Sequence, residues 1–195
     1  MSKPDETETW LGIQKVGKPL VIAGTVLGLG LGGFFDGIVI HQILQWHHMV
    51  SSYPDPSIAN DLRLNIVADG LFHTATYVFT ILGVTLLMRA WRMPFVPASR
   101  RTLFGSVILG WGIFNLVEGL IDHQLLGIHH VWPAGPGPVI LWDIAFLIWG
   151  LLFIGGGYAI IRGDSSVALV SQRDQPEQEE EQSQRDQPEQ EEQTT

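Results

Sequence analysis

The residues best suited to chemistry are histidines and carboxylates at fixed spacings. The segment DGIVIHQILQWHH at positions 36–48 recurs as EGLIDHQLLGIHH at 118–130, an offset of 82 throughout. Six of the thirteen positions are identical. The matched polar residues are Asp36 with Glu118, His41 with His123, His47 with His129 and His48 with His130. The seventh histidine, His73, stands four residues after Asp69, and Asp143 is a further isolated acid in apolar surroundings. With no cysteine in the chain, thiolate sites are excluded. Imidazole plus carboxylate without sulfur is the ligand chemistry of zinc, iron, manganese or copper(II).

The elements that carry these residues are apolar and long. Residues 20–44, 66–88, 103–126 and 139–161 are four nearly charge-free runs. Each reaches the ~20 residues a helix needs to cross a bilayer. They are continuous rather than alternating, which favours helices over barrel strands. The first is too long for a signal-peptide core, so it reads as a retained helix. Gly24, Gly28 and Gly32, like Gly33 and Gly37, are four residues apart, a spacing that lets helix backbones approach closely in lipid. The predicted fold is an all-α integral membrane four-helix bundle. The repeat, with Gly28 and Gly30 matching Gly110 and Gly112, predicts a duplicated two-helix hairpin with a pseudo-two-fold axis along the membrane normal. The expected organisation is a short N-terminal segment (1–16), a transmembrane domain (17–162) and a tail (163–195).

Arg89, Arg92, Arg100 and Arg101 lie between the second and third runs, Lys15 and Lys18 precede the first, and Arg162 ends the fourth. Basic residues mark the cytoplasmic side. Both termini are therefore expected in the cytoplasm of a multi-pass cell-membrane protein, with the loops near residues 50–65 and 131–138 outside. At a rise of 1.5 Å per residue, His41, His123, Asp69 and Asp143 then lie roughly 5 Å below the outer helix ends. Asp36, Glu118 and His73 come at roughly 10–12 Å, and His47, His48, His129 and His130 at the mouth. Trp46, Trp132 and Trp142 read as interfacial anchors.

Intramembrane ionisable groups are costly and by default mark function. No one helix completes a site. Only Asp69 with His73, and Glu118 with Asp122, have the i, i+4 spacing to grip one ion from a single α-helix, so a metal must be held between helices. The expected ligands are His41, Asp69, His123 and Asp143, one per helix. His73, Asp36 and Glu118 form a second site or a supporting layer beneath, and Asp122, His47, His48, His129 and His130 are further candidates. In a metal-dependent enzyme the ion would activate water or dioxygen, with Asp36 or Glu118 as acid–base partner. The sequence does not choose between an enzyme and a metal-handling protein. Three other readings compete: proton or ion transport through these groups, haem ligation by His41 and His123 with room made by Gly37 and Gly119, and simple interhelical hydrogen bonding.

The net charge of −9 comes almost entirely from residues 163–195, which hold ten acids against two arginines. The string SQRDQPEQEE at 171 repeats at 183. Such sequence has nothing to bury and reads as a disordered, solvated tail. The expected partner is the lipid bilayer, and no nucleic acid.

The D-G-x-x-x-H-Q-x-L-x-x-H-H signature at 36–48, DGLFH at 69–73 and the second HQ-x-L-x-x-HH copy resemble a bacterial family of four-helix membrane proteins, domain of unknown function 2243. The resemblance covers about residues 17–162. It carries no established activity. An association of such proteins with cytochrome oxidase assembly implies respiratory-enzyme partners and copper or haem handling.

Two outcomes are expected from this reading. A reporter fused after Arg162 or between Arg92 and Arg100 should read cytoplasmic, and one placed in residues 51–58 external; the reverse pattern would put the histidines on the cytoplasmic side. Deleting residues 172–195 should leave expression and metal content unchanged, and a loss of either would show that the tail docks on the rest of the protein.

Overall fold

The computed structural model describes residues 9–10, 13–14 and 17–164 of the chain, so most of the acidic tail lies outside the described residues. Two-residue strands β1 (Thr9–Trp10) and β2 (Ile13–Gln14) pair antiparallel. Everything described after them is helix and loop. Helix α1 (Lys18–Phe35) starts with a proline in its first turn, where the missing N–H costs nothing. It runs without a break into a π-helical segment, Asp36–Leu44, stopped by Gln45 in the left-handed conformation at φ 51°. After the single turn α2 (Pro56–Ala59), helix α3 (Leu62–Trp91) begins four residues earlier than its apolar run predicts. The Asp61 carboxylate accepts from the Leu64 amide and caps it there. Helix α4 (Arg100–Glu118), capped by Ser99, continues into a second π-segment, Gly119–Leu125, and α5 (Val139–Arg162) follows Pro138.

These elements make four helices long and apolar enough to span a membrane: Lys18–Leu44, Leu62–Trp91, Arg100–Leu125 and Val139–Arg162. The first and third form the central pair, with α3 packed on α1 and α5 on α4. Half of the first span is buried but only 11% of the second, whose leucines, valines and phenylalanines face outward. That is the distribution a bilayer requires, since lipid tails solvate apolar side chains as well as a protein interior does.

With no hydrophobic drive between helices in lipid, close backbone approach holds the central pair together. A Cβ on Gly28 would collide with the Val107 carbonyl and stand 2.9 Å from the Gly110 Cα, and one on Gly110 would collide with the Thr25 carbonyl. The same device joins α4 to α5, where a Cβ on Gly105 would stand 2.9 Å from the Gly157 carbonyl and one on Gly112 2.6 Å from the Gly150 carbonyl. On the α1–α3 side, a Cβ on Gly83 would meet the Leu27 backbone at 2.5 Å.

The interior is sorted along its length. The end nearer the termini holds the apolar clusters, Leu20, Ala23 and Leu87 in one and Val21 and Ile161 in another, with Thr102 and Ser106 buried beside them. Asp164, expected in the tail, accepts hydrogen bonds from Ser99 and from Thr102 (2.7 Å) there, tying the end of α5 to the start of α4. At the opposite end the buried residues are almost all polar: Asp36, His41, His47, Asn65, Asp69, Glu118, His123, His129 and Asp143.

Gly28→Val places two methyl groups where backbone already stands, and neither helix can give way without parting from its other neighbour. Overpacking of this kind costs about 1–3 kcal/mol, so the variant should melt measurably lower than the wild type in the same detergent. An unchanged melting temperature would show that α1 and α4 do not depend on this contact.

Candidate metal centre

Both histidine motifs lie where an α-helix widens into a π-helix. In an α-helix, residues five apart point away from each other; the wider π turn brings them onto one face. Asp36 Oδ2 thereby lies 3.0 Å from His41 Nε2, and Glu118 Oε1 3.4 Å from His123 Nε2. π-helical segments are rare and concentrate at functional sites. Gly37 and Gly119 sit at these transitions because the neighbouring helices come close. A Cβ on Gly37 would lie 2.6 Å from His73 Nε2, and one on Gly119 2.8 Å from a Leu147 methyl. The space expected there for a porphyrin is thus already filled.

Beyond the π-segments the chain turns back over the helix ends and inserts two more histidines. His47 donates from Nδ1 to the Val131 carbonyl (2.8 Å), and His129 from Nδ1 to the Met49 carbonyl (3.0 Å), so each loop is bonded to the other. Residues 131 and 49 are themselves 82 apart. The two rings stack on each other with centroids 4.7 Å apart and 11° between planes. His41 meets His47 edge-on at 4.5 Å, and His123 meets His129 at 4.8 Å. Burial, together with the neighbouring His129 and His41, pushes the His47 imidazole well below its ordinary range. His47 is therefore neutral, with its proton on Nδ1 and a lone pair on Nε2.

Asp69 and Asp143 stand behind these rings. The Asp69 carboxylate takes His41 Nδ1 (2.9 Å), His48 Nδ1 (2.7 Å), the Met49 amide (2.9 Å) and Gln42 Nε2 (3.1 Å). Asp143 repeats the pattern more loosely, with His130 Nδ1 at 2.8 Å, the Val131 amide at 3.0 Å, Gln124 Nε2 at 3.5 Å and His123 Nδ1 at 3.6 Å. Asp36 and Glu118 lie on the Nε2 side of His41 and His123, whereas Asp69 and Asp143, expected with those histidines as the ligands of one ion, lie on their Nδ1 side. Their i, i+4 partners are also elsewhere. His73 donates from Nδ1 to the Asp69 backbone carbonyl (2.8 Å), as part of its own helix. Asp122 is partly exposed and lines, with Glu118, a groove of about 380 Å³ between α3 and α4.

Inside, the Nε2 atoms of His41, His47, His123 and His129 and the carboxylates of Asp36 and Glu118 face one another. His41 Nε2, His47 Nε2, both ring nitrogens of His123, both Asp36 oxygens and Glu118 Oε2 are buried without a hydrogen-bond partner. His129 Nε2 hydrogen-bonds to Glu118 Oε1 at 3.1 Å. These atoms fall into two sets, each mutually within 4.8 Å: Asp36, His41 and His47, and His47, Glu118, His123 and His129. His48 and His130, about a fifth and a third exposed, stay outside both.

Several contributors carried no periodic signal. Asn65 accepts from the Val50 amide and donates to the Ala59 and Asp61 carbonyls, fixing the loop that presents His47 and His48. Gln42 and Gln124 are repeated in the sequence beside their histidines, and that repetition was the clue to their role. Trp46 and Trp132, expected as separate anchors, stack on each other at 4.4 Å and pack against Trp142, joining the two loops and the start of α5.

No curated protein and no solved structure matches the chain. One family, described as predicted membrane protein and designated DUF2243, matches residues 23–164, a span that takes in nearly all of the four helices and both histidine motifs. The chain is a member of the DUF2243 family of membrane proteins.

Proposed function

We propose that this protein is a membrane metalloprotein whose centre is formed by the Nε2 atoms of His41, His47, His123 and His129 with the carboxylates of Asp36 and Glu118. The observation that carries this reading is the arrangement of acceptors. His41 commits its Nδ1 to Asp69, His47 and His129 theirs to backbone carbonyls, and His123 turns its own toward Asp143 at 3.6 Å; a ring protonated on Nδ1 alone then offers a lone pair inward, toward carboxylate oxygens. Acceptor facing acceptor is repulsive, and a buried polar atom without a partner costs on the order of 1–3 kcal/mol. A cation among them satisfies all of these atoms at once. The donor set of imidazole and carboxylate fits zinc, iron, manganese or copper(II).

Asp69 and Asp143 then serve as orienting carboxylates, the usual companions of metal-bound histidines. They fix the tautomer and raise the basicity of Nε2. The recurrence of contacts at an offset of 82, with α3 and α5 as counterparts, supports a duplicated hairpin whose pseudo-two-fold axis passes between His47 and His129. The basic loop at the other end supports placing the centre near the outer face, both termini being cytoplasmic. Glu118 and Asp122 line a groove that opens between α3 and α4, so the centre has a way in from the side of the spans.

His41→Ala and His123→Ala should each strip most of the bound metal from protein loaded with zinc. Asp69→Asn should retain it, with affinity weakened about 10–100-fold. Metal content and melting temperature, measured together on each variant, separate this reading from its rival. If the histidines were only interhelical hydrogen-bonding groups, the variants would lose roughly 1–2 kcal/mol of stability at most, and the wild type would have no metal to lose.

A further inference from the structure

We infer that the centre holds two transition-metal ions, one in each half, and this rests on the metal reading above. Ligands of one ion sit about 2.0–2.3 Å from it, so the donor atoms of a single site stand within roughly 4.6 Å of one another. The buried donors do not form one such group. They divide into Asp36–His41–His47 and Glu118–His123–His129, with His47 also reaching the second set. The division follows the 82-residue offset, so each half of the chain supplies two histidines and one carboxylate. Two histidines and one carboxylate leave open positions on an ion. With His47 and His129 stacked 4.7 Å apart between the sets, the two sites would be neighbours.

Charge points the same way. Four carboxylates are buried here, each 5% exposed or less, and their ion pairs are all to histidine: Asp36 to His41, Asp69 to His41 and His48, Glu118 to His123 and His129, Asp143 to His123 and His130. Their counter-charge therefore comes from histidine protons or from bound cations, and buried charge without a counterion is strongly unfavourable. Two divalent cations would match four carboxylates in formal charge. A pair of ions at the roughly 3.5–4 Å separation of known two-metal sites clamps an oxygen ligand between them. The class of ligand this centre would take is therefore a small oxygen species, water or dioxygen, bridging the two.

The test is stoichiometry. The full-length protein in detergent is loaded with manganese(II), freed of excess by gel filtration and assayed for metal per chain, with its paramagnetic resonance spectrum recorded. The expected wild-type ratio is two, with an exchange-coupled spectrum. Asp36→Asn and Glu118→Gln, which keep shape while removing charge, should each lower the ratio from two to one and replace the coupled spectrum by that of an isolated ion. His41→Gln provides the same comparison should Asp36→Asn fail to fold, as judged by its elution and melting. A saturated wild-type ratio of one overturns the two-ion inference and leaves the metal reading standing, as does loss of all metal from Asp36→Asn with Glu118, His123 and His129 intact. A wild type that binds no manganese, zinc, iron or copper overturns both.

Discussion

The arrangement at one end of this helix bundle turns on which ring nitrogen each histidine commits outward. His41 gives Nδ1 to Asp69, His47 to the Val131 carbonyl, His129 to the Met49 carbonyl, and His123 points Nδ1 at Asp143. Once those choices are made, the Nε2 atoms and the carboxylates of Asp36 and Glu118 have only one another to face. In water such acceptors would be hydrated. Enclosed by four apolar spans, they need a counter-charge, and the proposed function supplies it as a metal ion.

The rest of the fold keeps this arrangement in place. Close glycine contacts let α1 and α4 run nearly backbone to backbone, which brings the two π-segments side by side. The π turns align the residue pairs five apart that an α-helix would separate. The crossed bonds from each histidine loop to the other, with the stacked Trp46 and Trp132, make the loops a single lid over the helix ends. Flanking helices α3 and α5 bring Asp69 and Asp143 in from the two sides. Their remaining surface is apolar and faces lipid, so the same two helices serve as outer wall and as support for the histidines.

Much of this is legible in the sequence because it depends on composition and spacing. The four spans, the small-residue contacts and the clustering of histidines and acids at one end follow from hydropathy and from a repeat of matched chemistry. The α-helical ruler fails at the motifs themselves. It pairs Asp69 with His73 and Glu118 with Asp122, whereas the observed pairs are Asp36 with His41 and Glu118 with His123, which meet only after the change to π geometry. Depth along a helix correctly put His41 and Asp69 at one level. It could not reveal that the acid sits on the Nδ1 side of the ring, since that depends on rotation about two helix axes and on the loop that brings His48 to the same carboxylate. The inward turn of His47 and His129 is a contact between loops some eighty residues apart, and no local pattern encodes it.

X-ray absorption at the metal edge of the loaded, detergent-solubilised protein tests the central claim most directly. Ligation by the buried histidines predicts nitrogen and oxygen neighbours at about 2.0–2.2 Å, the outer-shell scattering of several imidazole rings and no sulfur. The acidic tail contains no histidine. A shell of oxygen alone, without imidazole scattering, would mean that the ion sits on exposed carboxylates and that the histidine cluster is not a metal centre.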